Sequence, residues 1–146
     1  MLIPVSLIRS LATLAPVFMI ACAPTLDWRE VRPSDSKLVA LLPCKPDRVT
    51  RTLPLAGVEV RFELLACSAG GSTWALSSAD LGDPGRVATA LDELRRVRAV
   101  NLDGREIAQM PFVLRGATPY PGTLRFEIRG RRPDGAVVAE TGVVFA

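Results

Sequence analysis

The strongest structural signal in this sequence is the segment Val58–Cys67, in which Val58, Val60, Phe62, Leu64 and Ala66 alternate with a second set of side chains. A period of two over a segment of this length predicts a β-strand. The residues that follow, Ser68–Ser72, read SAGGS, a glycine-rich turn typical of hairpins. Thr73–Leu81 is therefore predicted to return as the antiparallel partner strand.

The rest of the chain predicts more strands around a single helix. Strand patterns occupy residues 38–43, 49–55, 107–115, 123–129 and 136–145. The chain has 146 residues, enough for one domain and too few for two. We predict one α+β domain over residues 37–146, an antiparallel sheet with one long amphipathic helix packed on one face.

The predicted helix begins at Asp83-Pro84, because an aspartate caps free amides and proline suits the first helical position. It ends in the segment 101–104, NLDG. Apolar residues recur every three or four positions and predict a buried stripe of Val87, Leu91, Leu94 and Val97.

The charged residues of this helix predict a solvated face. Asp92 and Glu93 precede Arg96 by about one turn, a favourable order for ion pairs. Arg95, Arg96 and Arg98 are expected to be mostly exposed.

The first 21 residues have the features of an export signal. Arg9 is their one charged side chain, and Leu11–Ala21 is almost wholly apolar. This run has the length of a signal-peptide core and is too short to cross a bilayer as a helix. We therefore predict a signal peptide over residues 1–21.

The segment Met19–Cys22, MIAC, resembles the bacterial lipobox, in which a small residue precedes an invariant cysteine. The resemblance implies that Cys22 is lipidated and becomes the N-terminus of an envelope protein that faces the periplasm. Two or more acyl chains would anchor such a protein stably in the membrane. Ala23, where enterobacterial inner-membrane lipoproteins have Asp, implies the outer membrane. The alternative is an ordinary secreted periplasmic protein without lipid.

Residues 22–36 are predicted to be a tether, since they combine prolines and mixed charge without apolar periodicity. Trp28 is the exception within this segment. It either rests at the lipid headgroups or docks on the folded domain.

Two cysteines remain if Cys22 is lipidated, and each ends an apolar stretch. Cys44 and Cys67 are a natural pair in an oxidising periplasm, so we predict a structural disulfide between them. The alternatives are two buried free thiols or a redox site, although the chain has no C-x-x-C spacing.

The absence of histidine constrains function most. The sequence has none, which removes Ser-His-Asp and Cys-His nucleophilic sites and histidine-ligated zinc. We predict no catalytic, cofactor or metal site. The net charge is only +3, and acidic residues are interspersed among the basic ones, so no nucleic-acid partner is expected.

Several turn-like motifs carry a resemblance: LDWREVRP (26–33), LPCKP (42–46), DLGDP (80–84), GATPYPG (116–122) and RPDG (132–135). Together they resemble a group of uncharacterised betaproteobacterial lipoproteins and, more distantly, the PsbP/Mog1-like domain. The resemblance implies a binding or assembly module and transfers no catalytic residues. Such relatives usually continue with another strand and a closing helix, which implies either C-terminal truncation or an apolar sheet edge left for a partner.

These observations favour a non-enzymatic accessory lipoprotein that binds an envelope protein, and they leave its oligomeric state open. A second hypothesis is a small-ligand pocket between helix and sheet, at Trp74, Tyr120 and an arginine. A third is a hydrolase with a carboxylate pair, for which Asp80 and Asp83 are the candidates, although a turn and a helix cap explain both residues better.

Overall fold

The computed structural model describes residues 26–146, so the predicted signal peptide, residues 1–21, and Cys22 lie outside the described residues. Within this range the chain forms eight strands and one α-helix, which begins after a single 3₁₀ turn at Pro84–Arg86. The elements are β1 (Arg29–Val31), β2 (Ala40–Leu42), β3 (Asp47–Leu55), β4 (Val58–Ala69), β5 (Ser72–Ala79), α1 (Val87–Asn101), β6 (Arg105–Pro111), β7 (Leu124–Arg131) and β8 (Val137–Val144).

The strands form three antiparallel sheets. We call β1–β2 the small sheet, β3–β4–β5 the N-terminal sheet and β6–β7–β8 the C-terminal sheet. The mixed α+β class, dominated by strands, is confirmed. The prediction of a single sheet is wrong, because β1–β2 and β6–β8 do not extend the ladder that the central hairpin begins.

The predicted hairpin is confirmed as β4 and β5. Cys67 lies opposite Trp74, and the strands meet at Gly70 and Gly71. Both glycines have positive φ, 60° and 74°, which favours residues without a side chain in such a tight turn.

The two faces of the N-terminal sheet carry two separate cores. On one face, Val60 of β4 and its neighbour Leu55 pack against Ala90 of α1. On the other, Leu65 packs against the small sheet, where Val31 is buried. The alternation in β4 therefore does not separate a buried face from a solvated one, because each face is covered along part of its length.

The first strand of the small sheet, β1, lies inside the predicted tether, residues 22–36. Arg29–Val31 pairs with Ala40–Leu42, and the amide of Asp27 donates to the carbonyl oxygen of Pro43 at 2.8 Å. The burial of Val31 against Leu65 explains this pairing, and a three-residue strand is too short to show a period. The folded part of the chain thus begins earlier than residue 37.

Asp83 caps the 3₁₀ turn that precedes α1, as predicted, but α1 does not bury its predicted stripe. The Asp83 carboxylate accepts from the Gly85 amide at 2.8 Å. Ala90 is the buried residue of the helix, whereas Val97 is 46% exposed. Leu91 and Leu94 are half-buried because part of their surface faces an open groove instead of a strand.

Two arginines predicted to be exposed join α1 to the C-terminal sheet. The Arg95 side chain is only 14% exposed and donates to Glu106 on β6 at 3.0 Å. Arg98 donates to Glu140 on β8 at 2.7 and 2.8 Å. These ion pairs therefore attach this face of α1 to the C-terminal sheet.

The local charge pairs of α1 also differ from the prediction. Asp92 pairs with Arg95 at 2.6 Å, not with Arg96. The Glu93 carboxylate accepts from the amide of Ala56, in the turn between β3 and β4, at 2.8 Å. Asp92 thus pairs within the helix, one position short of Arg96, and Glu93 takes a long-range partner instead of Arg96.

Candidate functional site

An open groove of about 670 Å³ lies between α1, the N-terminal sheet and the end of β8. Its walls are mainly apolar. The helix supplies Val87, Ala90, Leu91 and Leu94, and the larger apolar side chains from other elements include Leu38, Leu55, Phe62, Leu81, Val143, Val144 and Phe145. We call this feature the apolar groove.

The apolar groove exists because neighbouring elements are held apart. Ala90 brings α1 close to Leu55 and Val60, while Arg95 and Arg98 bind the same helix to the C-terminal sheet. No strand pairing joins the N-terminal sheet to the C-terminal sheet in residues 26–146. The side chains that would form a closed core therefore line a cleft.

The polar rim of the groove includes the two carboxylates considered for hydrolysis. Asp80 accepts from the Gly82 amide at 2.8 Å, and Asp83 accepts from the Gly85 amide at the same distance. Each carboxylate therefore stabilises a local turn or cap. These contacts agree with the interpretation of Asp80 and Asp83 as turn and cap residues, which the sequence favours over a hydrolase carboxylate pair.

The predicted ligand residues do not line the apolar groove. Trp74 packs edge-to-face on Trp28, with ring centroids 5.9 Å apart. Tyr120 lines a separate pocket of about 370 Å³ in the loop between β6 and β7. The sequence pattern marked Leu91, Leu94 and Phe62 as apolar, but it could not show that a gap separates them.

The predicted disulfide between Cys44 and Cys67 is present, with Cα atoms 6.0 Å apart. It joins the loop after β2 to β4, and Cys67 packs on the core formed by Val31, Leu42 and Leu65. The lipidation site Cys22 lies outside the described residues. Within residues 26–146, no cluster of His, Cys, Asp and Glu could hold a metal ion, and no helix is long and apolar enough to cross a bilayer.

The buried carboxylate of Glu63 is not predicted from the sequence, because Glu63 lies at an ordinary alternating position of β4. The Glu63 side chain is 8% exposed and pairs with Arg48. It also accepts from the backbone amide and the hydroxyl of Ser34, at 2.6 and 2.9 Å. Burial raises the pKa of Glu63, but the hydrogen bonds from Ser34 and Arg48 outweigh it and hold the pKa below the ordinary value. The ionised group ties the loop after β1 to the N-terminal sheet.

Replacing Glu63 by glutamine is expected to lower the free energy of unfolding at neutral pH by about 2 kcal/mol, because Arg48 and Ser34 lose a charged acceptor. A lowered folded-state pKa stabilises the fold above the unfolded-state pKa, and this contribution is lost as pH falls through the folded-state value. Urea unfolding at several pH values should therefore show the difference between wild type and E63Q shrinking below the ordinary value of 4.5.

Glu59 on the same strand is exposed, so Glu59→Gln is the matched control and should change stability little. A difference between wild type and E63Q that stays constant down to acidic pH would contradict the ionised pair.

Fold and site together define an antiparallel α+β domain with an open apolar groove. Comparisons with protein-family models, with curated proteins and with solved structures give no match.

Proposed function

We propose that this chain is a non-enzymatic lipoprotein of the bacterial cell envelope. Lipidated Cys22 holds it at the outer membrane, facing the periplasm, where it serves as a binding or assembly module for an envelope protein. The apolar groove is the observation that carries the binding part of this proposal. The resemblance to PsbP/Mog1-like modules points the same way.

The chemistry of the groove suits an apolar segment of a partner. Leucine, valine and phenylalanine side chains form its walls, with Ser36, Ser77 and Ser78 among its polar groups. Burying such walls is favourable by about 25 cal/mol per Å² of apolar surface. The contacts of Ala90, Arg95 and Arg98 hold α1 in place, so the groove is formed before a partner arrives. In this proposal α1 is the amphipathic helix that covers one sheet face incompletely.

A small apolar ligand is the second candidate occupant. The groove volume of about 670 Å³ lies within the range of known ligand sites. Native mass spectrometry of protein purified from its own envelope distinguishes the two candidates. A retained small molecule supports the ligand, and the mass of the lipidated chain without a bound molecule, together with a protein adduct at the groove, supports the partner.

Site-specific crosslinking tests the groove directly. A benzophenone amino acid at Leu91, which lines the groove, should form an adduct with one envelope protein in living cells. The same probe at Arg96, an exposed residue on α1 outside the groove lining, should not form this adduct. Adding Val87→Glu to the Leu91 probe should reduce the adduct, because a charge would enter the apolar wall.

The folding of each probe variant is checked by its thermal unfolding midpoint. Equal adducts from positions 91 and 96, or an adduct that Val87→Glu leaves unchanged in a folded protein, would contradict binding in the groove.

A further inference from the structure

Both tryptophans of the chain lie together on one exposed surface. Trp28 is 52% exposed, Trp74 38% and Leu26 39%. Leu26 lies over Gly70, and Gly70 belongs to the turn between β4 and β5, the strand that carries Trp74. We call Leu26, Trp28 and Trp74 the N-terminal patch. Large apolar side chains grouped at a surface mark an interaction site.

The position of the patch along the chain indicates what it faces. Asp27 is held to the domain through its amide hydrogen bond to Pro43, so the chain leaves the fold at the patch. Cys22 precedes Leu26 by only four residues. Even a fully extended chain places Cys22 within about 14 Å of Leu26, so an acyl chain on Cys22 would bring the bilayer surface close to both indoles.

We propose that the N-terminal patch lies on the surface of the membrane that carries the lipid anchor, with Trp28 and Trp74 at the level of the headgroups. This inference rests on the proposed lipidation of Cys22. Indole rings favour this interface because they present an apolar body and a polar N–H group. The neighbouring charges Asp27 and Arg29 pair with each other, so the rim adds no net charge that anionic lipids would repel.

The proposed contact leaves the apolar groove accessible. Trp74 lies opposite Cys67, so both side chains are on the sheet face that packs on the small sheet. Phe62 and Leu55 of the groove lie on the other face, toward α1. If the domain docks through the patch, the groove lies on the sheet face directed away from the membrane.

Intrinsic fluorescence tests the proposal, because both tryptophans belong to the patch. The lipidated full-length protein is reconstituted into vesicles of phosphatidylethanolamine and phosphatidylglycerol, with or without bromine near the headgroup end of the acyl chains. We expect blue-shifted emission and a loss of fluorescence in the brominated vesicles. Trp28→Phe and Trp74→Phe assign the loss to each ring, and both remaining indoles should be quenched.

The control carries a tryptophan on another sheet: Trp28→Phe, Trp74→Phe and Val137→Trp combined, since Val137 is 71% exposed on β8. Its emission should not depend on bromine. If the protein floats with the vesicles but neither native tryptophan is quenched, membrane docking is wrong, the anchor stands and the patch is left to a protein partner. If the protein does not float with the vesicles, the anchor fails and the docking proposal fails with it.

Discussion

Replacing Cys22 by alanine is expected to move the protein from the membrane fraction to the soluble periplasmic fraction, and to abolish its labelling by a clickable palmitate analogue. The sulfur atom of Cys22 would receive the diacylglycerol, so the variant loses every acyl chain whose attachment requires this cysteine. Two or more chains give stable anchoring, whereas a few apolar side chains at a surface bury much less hydrocarbon. The N-terminal patch alone should therefore not retain the variant.

Cys44→Ala combined with Cys67→Ala is the matched control for thiol loss. It should stay in the membrane fraction and keep the palmitate label, because neither cysteine lies in the MIAC motif. A wild-type protein that is already soluble would favour the secreted alternative without lipid. Retention of unlabelled C22A in the membrane would show that something other than an acylated Cys22 holds the protein.

Removing the disulfide by the same double substitution is expected to lower the free energy of unfolding by about 3 kcal/mol. The bond joins residues separated by 23 positions, so it restricts the unfolded chain considerably. Cys67 also packs on the core of Val31, Leu42 and Leu65, which adds a smaller packing loss. Urea unfolding followed by tryptophan fluorescence measures the change, since Trp74 lies opposite Cys67.

Reduction provides the internal control for this prediction. Dithiothreitol should destabilise the wild type by a similar amount and leave the double variant unchanged. Iodoacetamide should not label Cys44 or Cys67 in the denatured, unreduced wild type. A wild-type midpoint that is insensitive to dithiothreitol, or labelling of both thiols before reduction, would contradict a disulfide in the native protein.

Local patterns predicted the elements well where neighbours in sequence are also partners in space. The hairpin of β4 and β5 is defined by alternation and by Gly70-Gly71. Asp83 caps the turn before α1, as its position before a proline suggests. The pairing of Cys44 with Cys67 follows from the number of cysteines, because these two remain when Cys22 is assigned to the lipid.

The same patterns failed where distant elements compete for a side chain. Arg95 looks like a solvated helix residue, yet Glu106 and Asp92 both bind it. Val31 lies among prolines and charges and is still buried, because it packs against Leu65 on that face of the N-terminal sheet. Spacing along one helix or loop contains no information about these partners.

The candidate site was only half visible in the sequence. Leu91, Leu94 and Phe62 were recognised as apolar, and all three line the groove. The spacing of Leu91 and Leu94 predicts burial, and the hypothesis of a small-ligand pocket places Trp74 at the ligand. Whether apolar faces touch or stand apart depends on how Ala90, Arg95 and Arg98 place the helix, and none of these contacts is local.

Turn residues and periodic patterns act between near neighbours, so they suffice to predict the strand-rich α+β class, the central hairpin and the Asp83 cap of the turn before α1. The cysteine pair follows from the number of cysteines. The partial cover on both faces of the N-terminal sheet and the burial of Glu63 in an ion pair depend instead on tertiary packing. The groove that stays open beside α1 depends on it as well. A periodic pattern states which side chains of one element share a face, whereas the distance between two faces is set by the packing of all elements together.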